Sequence, residues 1–318
     1  MDSFIKALQK GLLLLGTLSL LGCGPSTSSS QVISSFSKEE SLITMEDDLG
    51  RLVSFEVPKR VAVLIGSFTD SFLDAGGQEQ LVAAAHDSWT AFDLDLEGVA
   101  DLGDVKAIAQ ETLVASKPDL VIASAKNESQ KDLLDTLSAL YISVLYFDVS
   151  SFEDYLNMLK RFCTITQNEK AYVQYGLDQE AQIQAIQQKE RTTTPKVLAL
   201  RETGKGVSAL EADNSVLGEM LQDLQAENIA QNGGLSSLSM EVIQVEDPDI
   251  ILYVAQGKDL ETAQEMAKTL FSNPTWSHLR AVREGKVYVL DQRLYNLKPN
   301  AHWAQALADL ETMIYGQE

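Results

Sequence analysis

The chain has 318 residues, 45% of them apolar, with 25 Lys+Arg against 46 Asp+Glu and a formal net charge of −21. That length fills one large domain or two medium ones, and the apolar content excludes a disordered chain. The acidic balance excludes a general nucleic-acid binder, 2 cysteines leave no material for a disulfide scaffold or a Cys-rich zinc site, and 3 histidines far apart leave little room for an all-histidine metal site.

At the amino terminus, Lys6 and Lys10 precede the apolar run Gly11 to Leu21. The run is too short to span a bilayer and reads as a secretory signal. It ends in Leu20-Leu21-Gly22-Cys23, which resembles the bacterial lipobox, in which the cysteine is diacylated and becomes the first mature residue. On this reading residues 1–22 are a lipoprotein signal peptide and Cys23 is the lipidation site. The Ser-rich residues 23–41 form a flexible tether, and the protein is extracytoplasmic, anchored to a bacterial membrane rather than threaded through it. Cys163 is then the only body cysteine. Tyr155, Leu159, Phe162 and Cys163 fall on one helical face, which predicts a buried structural thiol.

Short apolar runs alternate with helical segments through the body. Strands are predicted at 60–66, 81–85, 119–124 and 143–147, and again at 196–200, 250–254 and 286–290. Ser67 to Asp70 opens a helix that ends at Gly76-Gly77. Between the two strand sets, residues 152–190 carry helix formers, interrupted at most around Thr166-Gln167-Asn168. The pattern predicts an α/β fold of two lobes with mostly parallel central sheets joined by one long helix: an amino-terminal lobe at 42–151, linking helices at 152–194 and a carboxy-terminal lobe at 195–318. An internal echo supports related lobes. Glu111, Pro118 and Asp119 recur at identical offsets as Glu241, Pro248 and Asp249, 130 positions on, each time reading as helix, Pro-Asp turn and buried strand.

Together these features resemble the substrate-binding lipoproteins of ATP-driven importers for iron–siderophores, haem and cobalamin. The resemblance spans about residues 42–316. Its parts are the opening strand pair around Ile43 to Arg51, Pro58-Lys59-Arg60-Val61, the two Pro-Asp strands, and Asn273-Pro274-Thr275-Trp276 followed by Gly285 and Lys286-Val287-Tyr288-Val289. The resemblance implies a rigid two-lobed monomer with a ligand cleft between the lobes. It also implies one carboxylate per lobe, Glu111 and Glu241 by position, docking on arginines of a permease dimer that works with a cytoplasmic ATPase. An acid in a first helical turn is equally served by the helix dipole.

In open α/β sheets ligands bind beyond the carboxyl ends of strands. This selects Ser67 and Phe68, Trp89, Arg201, and Arg293, Tyr295 and Lys298 as candidate ligand-binding residues. Each has a plainer reading. Ser67 with Asp70 forms a capping pattern, Trp89 packs in its loop, Arg201 pairs with Glu202, and Pro299 makes the Arg293–Lys298 stretch a loop. His86 and Tyr295 are the only candidate axial groups for a haem. The expected cargo is a ferric siderophore or similar chelate, with corrinoid or haem as alternatives and a lipid-anchored adhesin or sensor as the rival class. No protein-held metal or cofactor is expected beyond a chelated metal, and neither a Gly-x-Ser-x-Gly elbow nor a His-Glu-x-x-His motif marks an enzyme.

Overall fold

The computed structural model describes residues 42–211, 215–232 and 239–316. The expected signal peptide (1–22), the expected lipidation site Cys23 and the expected tether (23–41) lie outside the described residues. A hairpin of β1 (Leu42–Glu46) and β2 (Leu52–Glu56) opens the body. It is followed by β3 (Val61–Val63), α1 (Gly66–Asp74), β4 (Leu81–Ala84), α2 (Asp87–Thr90), β5 (Ala100–Asp101), α3 (Gln110–Ala115), β6 (Leu120–Ser124), α4 (Glu128–Lys131), α5 (Leu134–Ala139) and β7 (Ser143–Phe147). Strands β3 to β7 form a parallel sheet ordered β5-β4-β3-β6-β7. Strands of such a sheet are covered on both faces, hence the unbroken apolar runs at β3, β6 and β7.

The connector starts at α6 (Phe152–Thr166), capped by Ser151 and Asp154 in a reciprocal capping box. It breaks once, where Gln167 takes a left-handed φ of 58° and the Asn168 side chain caps the next helix. That helix runs through α7 (Glu169–Tyr172), a π-helical turn at Val173–Leu177 and α8 (Asp178–Gln187). The second lobe comprises β8 (Lys196–Thr203), β9 (Gly206–Ala209), α9 (Val216–Asp223), β10 (Glu227–Asn228), α10 (Met240–Glu246), β11 (Ile250–Ala255), α11 (Leu260–Phe271), α12 (Pro274–Ser277), α13 (Arg280–Arg283) and β12 (Val287–Leu290). Its parallel order is β10-β8-β11-β12, with β9 antiparallel on β8. The chain closes with α14 (Gln292–Tyr295), a 3-10 turn at Asn300–His302 and α15 (Trp303–Tyr315).

The two sheets share one plan: β4-β3-β6-β7 corresponds to β10-β8-β11-β12. The Pro-Asp echo has a structural cause in both. Lys117 and Asp247, each just before the proline, end their helices with positive φ of 49° and 41°. Asp119 accepts from the Lys59 and Arg60 N–H groups at 2.9 and 3.1 Å, and Asp249 accepts from the Lys196 N–H at 2.9 Å. Each aspartate thus ties its strand to the start of the neighbouring one. An arginine then caps the preceding helix: Arg60 donates to the Ser116 and Lys117 carbonyls, and Arg280 to the Asp247 carbonyl.

Alternate residues of each strand face different cores. Val61, Ile122 and Phe147 of the first sheet join Val197, Leu252 and Val254 of the second in one cluster, completed by Tyr155, Met158 and Phe162 of α6, Ile183 of α8 and Trp303 and Leu307 of α15. The outer faces have separate cores, around Ala62, Val121 and Tyr146 in one lobe and Leu198, Ile251 and Tyr253 in the other. Cys163 sits in the shared core at 3% exposure, and burial pushes its thiol up to about 11.

The chain's last segment stitches the lobes together. Asn300 is fully buried at a φ of 47°. Its Nδ2 donates to the Ser67 carbonyl at 2.9 Å and to Asp70 at 2.8 Å, both on α1 of the first lobe, and its own carbonyl accepts from Gln179 of α8 at 3.2 Å. Gln179 in turn accepts from the Ala304 N–H at 3.1 Å. Trp303 stacks on Tyr155 at 6.3 Å. Asn300→Ala leaves buried partners unsatisfied and is expected to cost about 2 kcal/mol, read as a lowered denaturant midpoint at unchanged slope. An unchanged midpoint would remove Asn300 from the lobe-to-lobe connection.

Candidate functional site

The carboxyl ends of the strands meet at a cleft of about 440 Å³ between the lobes. Lys126, Val149, Ser150 and Ser151 contribute from the first lobe and the start of the connector. Arg201, Ser215, Val216, Glu219 and Gln222 contribute from the second, and Asn296, Leu297 and Lys298 from the segment that returns between them. Three of these residues are cationic in a protein of net charge −21.

Arg201 lies within β8, and strand alternation sends its side chain to the opposite face from Glu202. Glu202 instead accepts a hydrogen bond from the Tyr253 hydroxyl, so the Arg201–Glu202 pairing does not form. The Arg201 Nε is buried without a hydrogen-bond partner among the described residues. Lys298 follows α14 and is half-buried, with Nζ 5.9 Å from the centre of the Phe68 ring. Burial first, then the Lys126 charge, hold its ammonium below the usual lysine range, while Asp148 and Asp87 oppose the shift. Among the described residues neither Arg201 nor Lys298 has a carboxylate partner. Lys126 is different: it pairs with Asp148 at 2.9 Å and donates to Ser150.

The remaining predicted residues occupy other places. Ser67 does not cap α1. The helix begins one residue earlier, at Gly66, and the carboxylate of Asp87, from α2, takes the Gly66 N–H at 2.9 Å. A methyl group on Gly66 would come within 2.8 Å of the Ser88 backbone nitrogen, so glycine is needed for this approach. With Asp87 there, the helix start is already supplied with an anion. Phe68 is 1% exposed and packs edge-to-face on Phe147 at 6.1 Å. Trp89 sits in the single turn of α2, half-buried against the shared core. Tyr295 is 3% exposed and its hydroxyl donates to the Ala306 carbonyl at 3.0 Å. The stretch before Pro299 is not all loop, because Asp291 caps the short helix α14. Arg293 is exposed, over Phe92 at 6.0 Å, in a second depression of about 270 Å³ that Lys298 also lines. His86 is held by Asp101 at 2.7 Å and does not line the cleft.

Glu111 and Glu241 are both exposed, in the first turns of α3 and α10. These helices lead into β6 and β11, equivalent strands of the two lobes. Glu219, Ser150 and Ser151 escaped the sequence reading. Loops after strands could be enumerated from sequence, but a helix such as α9 leaning into the cleft could not.

A larger depression of about 800 Å³, lined by Lys160, Cys163, Asn168 and Tyr172, lies where α6 ends. Thr166 there bonds the Ala75 carbonyl at the far end of α1 from Gly66, so this hollow is remote from the strand ends. Among the described residues no cluster of His, Cys, Asp and Glu is arranged to hold a metal, and no helix is long and apolar enough to cross a membrane.

Two similar α/β lobes, a packed connector and a polar cleft at their strand ends define a two-lobed solute receptor. The chain belongs to the periplasmic binding protein family, whose model matches residues 61–294, and it is a substrate-binding protein of an ABC importer. It is 25% identical over 319 residues to the putative ABC transporter substrate-binding lipoprotein YhfQ of Bacillus subtilis, covering 95% of this chain and 97% of that one. It is 25% identical over 301 residues to the ferric-anguibactin-binding protein FatB of Vibrio anguillarum, 86% of each. The crystal structure of the periplasmic haem-binding protein HutB of Vibrio cholerae superposes with a TM-score of 0.68 at 22% identity, over 80% of this chain and 98% of that one.

Burial and neighbouring acids also reshape two carboxyls. Asp74, at the end of α1, is pushed up to about 7 by burial and then by Asp70, and Glu219 likewise by burial and then by Asp223. A folded-state value above the unfolded one means that the native protein binds more protons across the interval, so stability falls as pH rises from about 4 to 7. Unfolding midpoints are expected to drop between pH 5 and pH 8, and to drop less in Asp74→Asn. An identical drop in that variant would remove Asp74 from the linkage.

Proposed function

We propose that this chain binds an anionic, oxygen-rich ferric chelate of the siderophore class in the interlobe cleft and delivers it to a membrane permease. The observation that carries this reading is a pair of cations, Arg201 and Lys298, that have no carboxylate partner among the described residues and face one polar cleft of a strongly acidic protein. A planar guanidinium suits the carboxylate or catecholate oxygens of such a chelate, and a half-desolvated ammonium supplies a second contact. Lys126, already neutralised by Asp148, contributes less. Haem is disfavoured because no Tyr, His, Cys or Met is among the described residues lining the cleft. His86 is engaged by Asp101 and Tyr295 is buried.

Thermal unfolding of the body against ferric catecholates, ferric hydroxamates, haem and corrinoids tests the reading. A ligand at about 100 times its dissociation constant stabilises by about 2.7 kcal/mol. The ferric chelates are expected to raise the midpoint. Arg201→Ala and Lys298→Ala should each weaken binding by about 10- to 100-fold, the worth of a charged hydrogen bond. A midpoint raised by haem only would overturn it.

Delivery is assigned to Glu111 and Glu241, which offer one exposed acid on equivalent helices of each lobe; rim charges of this kind set orientation and encounter rate. Cys23 carries the lipid in this reading and holds the receptor at the membrane. The double substitution Glu111→Ala/Glu241→Ala is expected to leave ligand affinity unchanged and to abolish uptake in cells. Normal uptake by the double variant would move docking elsewhere.

A further inference from the structure

Among the described residues lining the basic cleft, one is an acid. Glu219 lines the cleft from α9, alongside Arg201, Lys298 and Lys126. It pairs with none of those cations among the described residues. Among the described residues, the Phe152 N–H at the start of α6 supports its ionised form. Acids flank it on two elements: Asp223 one turn further along α9, itself bonded by Gln187 at 2.9 Å, and Asp154 in the capping box of α6. Burial and these acids push its carboxyl up to about 7. A half-buried carboxylate beside acids, unpaired with cations in the same cleft, opposes folding once ionised. Its position instead places a like charge against any anion that fills the cleft.

We propose that Glu219 sorts ligands by the charge of their periphery. It admits a chelate that turns anionic oxygens toward Arg201 and Lys298 and a hydrogen-bond donor, such as an amine or hydroxyl, toward α9. It rejects a chelate that is anionic on every side. The inference rests on the ferric-chelate reading and narrows it. Specificity of this kind comes from a repulsive element set against the wrong ligand rather than from added contacts to the right one.

The test compares a ferric bis-catecholate with its backbone amine free, the same chelate with that amine acetylated, and a ferric tris-catecholate. Affinities are measured by quenching of intrinsic fluorescence at fixed ionic strength. Wild-type protein should prefer the free-amine chelate over the tris-catecholate by about tenfold or more. Glu219→Gln should tighten the tris-catecholate, weaken the free-amine chelate and leave the acetylated chelate between them. As pH falls from roughly 8 to 6 Glu219 takes up its proton, so the gap between wild type and Glu219→Gln for the tris-catecholate should close; comparing the two proteins cancels protonation of the ligand. The unfolding midpoint of Glu219→Gln establishes that the variant is folded. A variant that shifts all three affinities by the same factor, or none of them, overturns the sorting role while leaving the receptor reading intact. A wild-type protein that binds no ferric chelate overturns both.

Discussion

The structure depends on one shared core. The inner face of each sheet meets α6, α8 and α15 in a single cluster, so the lobes are not two bodies on a string. Opening the cleft widely would separate Val197 and Leu252 from the connector side chains they pack with, and close-packed interiors resist such separation. The Asn300 clamp adds a polar tie between α1, α8 and the returning segment. Both features oppose wide opening of the cleft, so its walls are largely set by the fold. That preorganisation reduces the ordering cost of binding.

The two lobes repeat a topology and a local device. In each, a Pro-Asp turn stops a helix with a left-handed residue, and the aspartate ties its strand to the next one. The arginine that caps the helix differs in origin: Arg60 precedes β3 in the first lobe, whereas Arg280 starts α13 in the second. The echo between 111–122 and 241–252 thus has a folding cause independent of any partner. The glutamates at its head are not needed for that device. They face solvent in equivalent helices, which separates the role assigned to them from the role of the proline and aspartate behind them.

Charge is distributed against the protein's average. A net −21 spread over the surface repels anions at a distance, yet the cleft concentrates Arg201 and Lys298, with Asp87 drawn off to the start of α1. Low dielectric walls strengthen local charges relative to distant, screened ones. The cleft can therefore attract what the surface as a whole repels, and Glu219 within it acts at short range on whatever enters.

Much of the architecture was legible in the chain. Unbroken apolar runs at β3, β6, β7, β8 and β11 gave the parallel strands, because burial on both faces demands them. The break at Thr166-Gln167-Asn168 appeared where helix formers ran out. The strands that escaped, β5, β9 and β10, are two to four residues long and carry too little pattern to register. Arg201 was visible as a charge at an apolar strand, and Lys298 as a charge in the stretch before Pro299. What each does was not visible, since it depends on which side chain stands opposite. Ser67 lost its capping role to Asp87, twenty positions away. Tyr295, Asn300 and Trp303 went to the interior because the returning segment packs on α1 and α6. Glu219 entered the cleft on a helix whose tilt no local pattern records. The sequence by itself determined the longer elements, the doubled plan and several candidate charges, because periodicity and strand burial act within a few residues. Only the tertiary structure decided which charges remain unpaired in the cleft, because pairing is a contact between segments far apart in the chain.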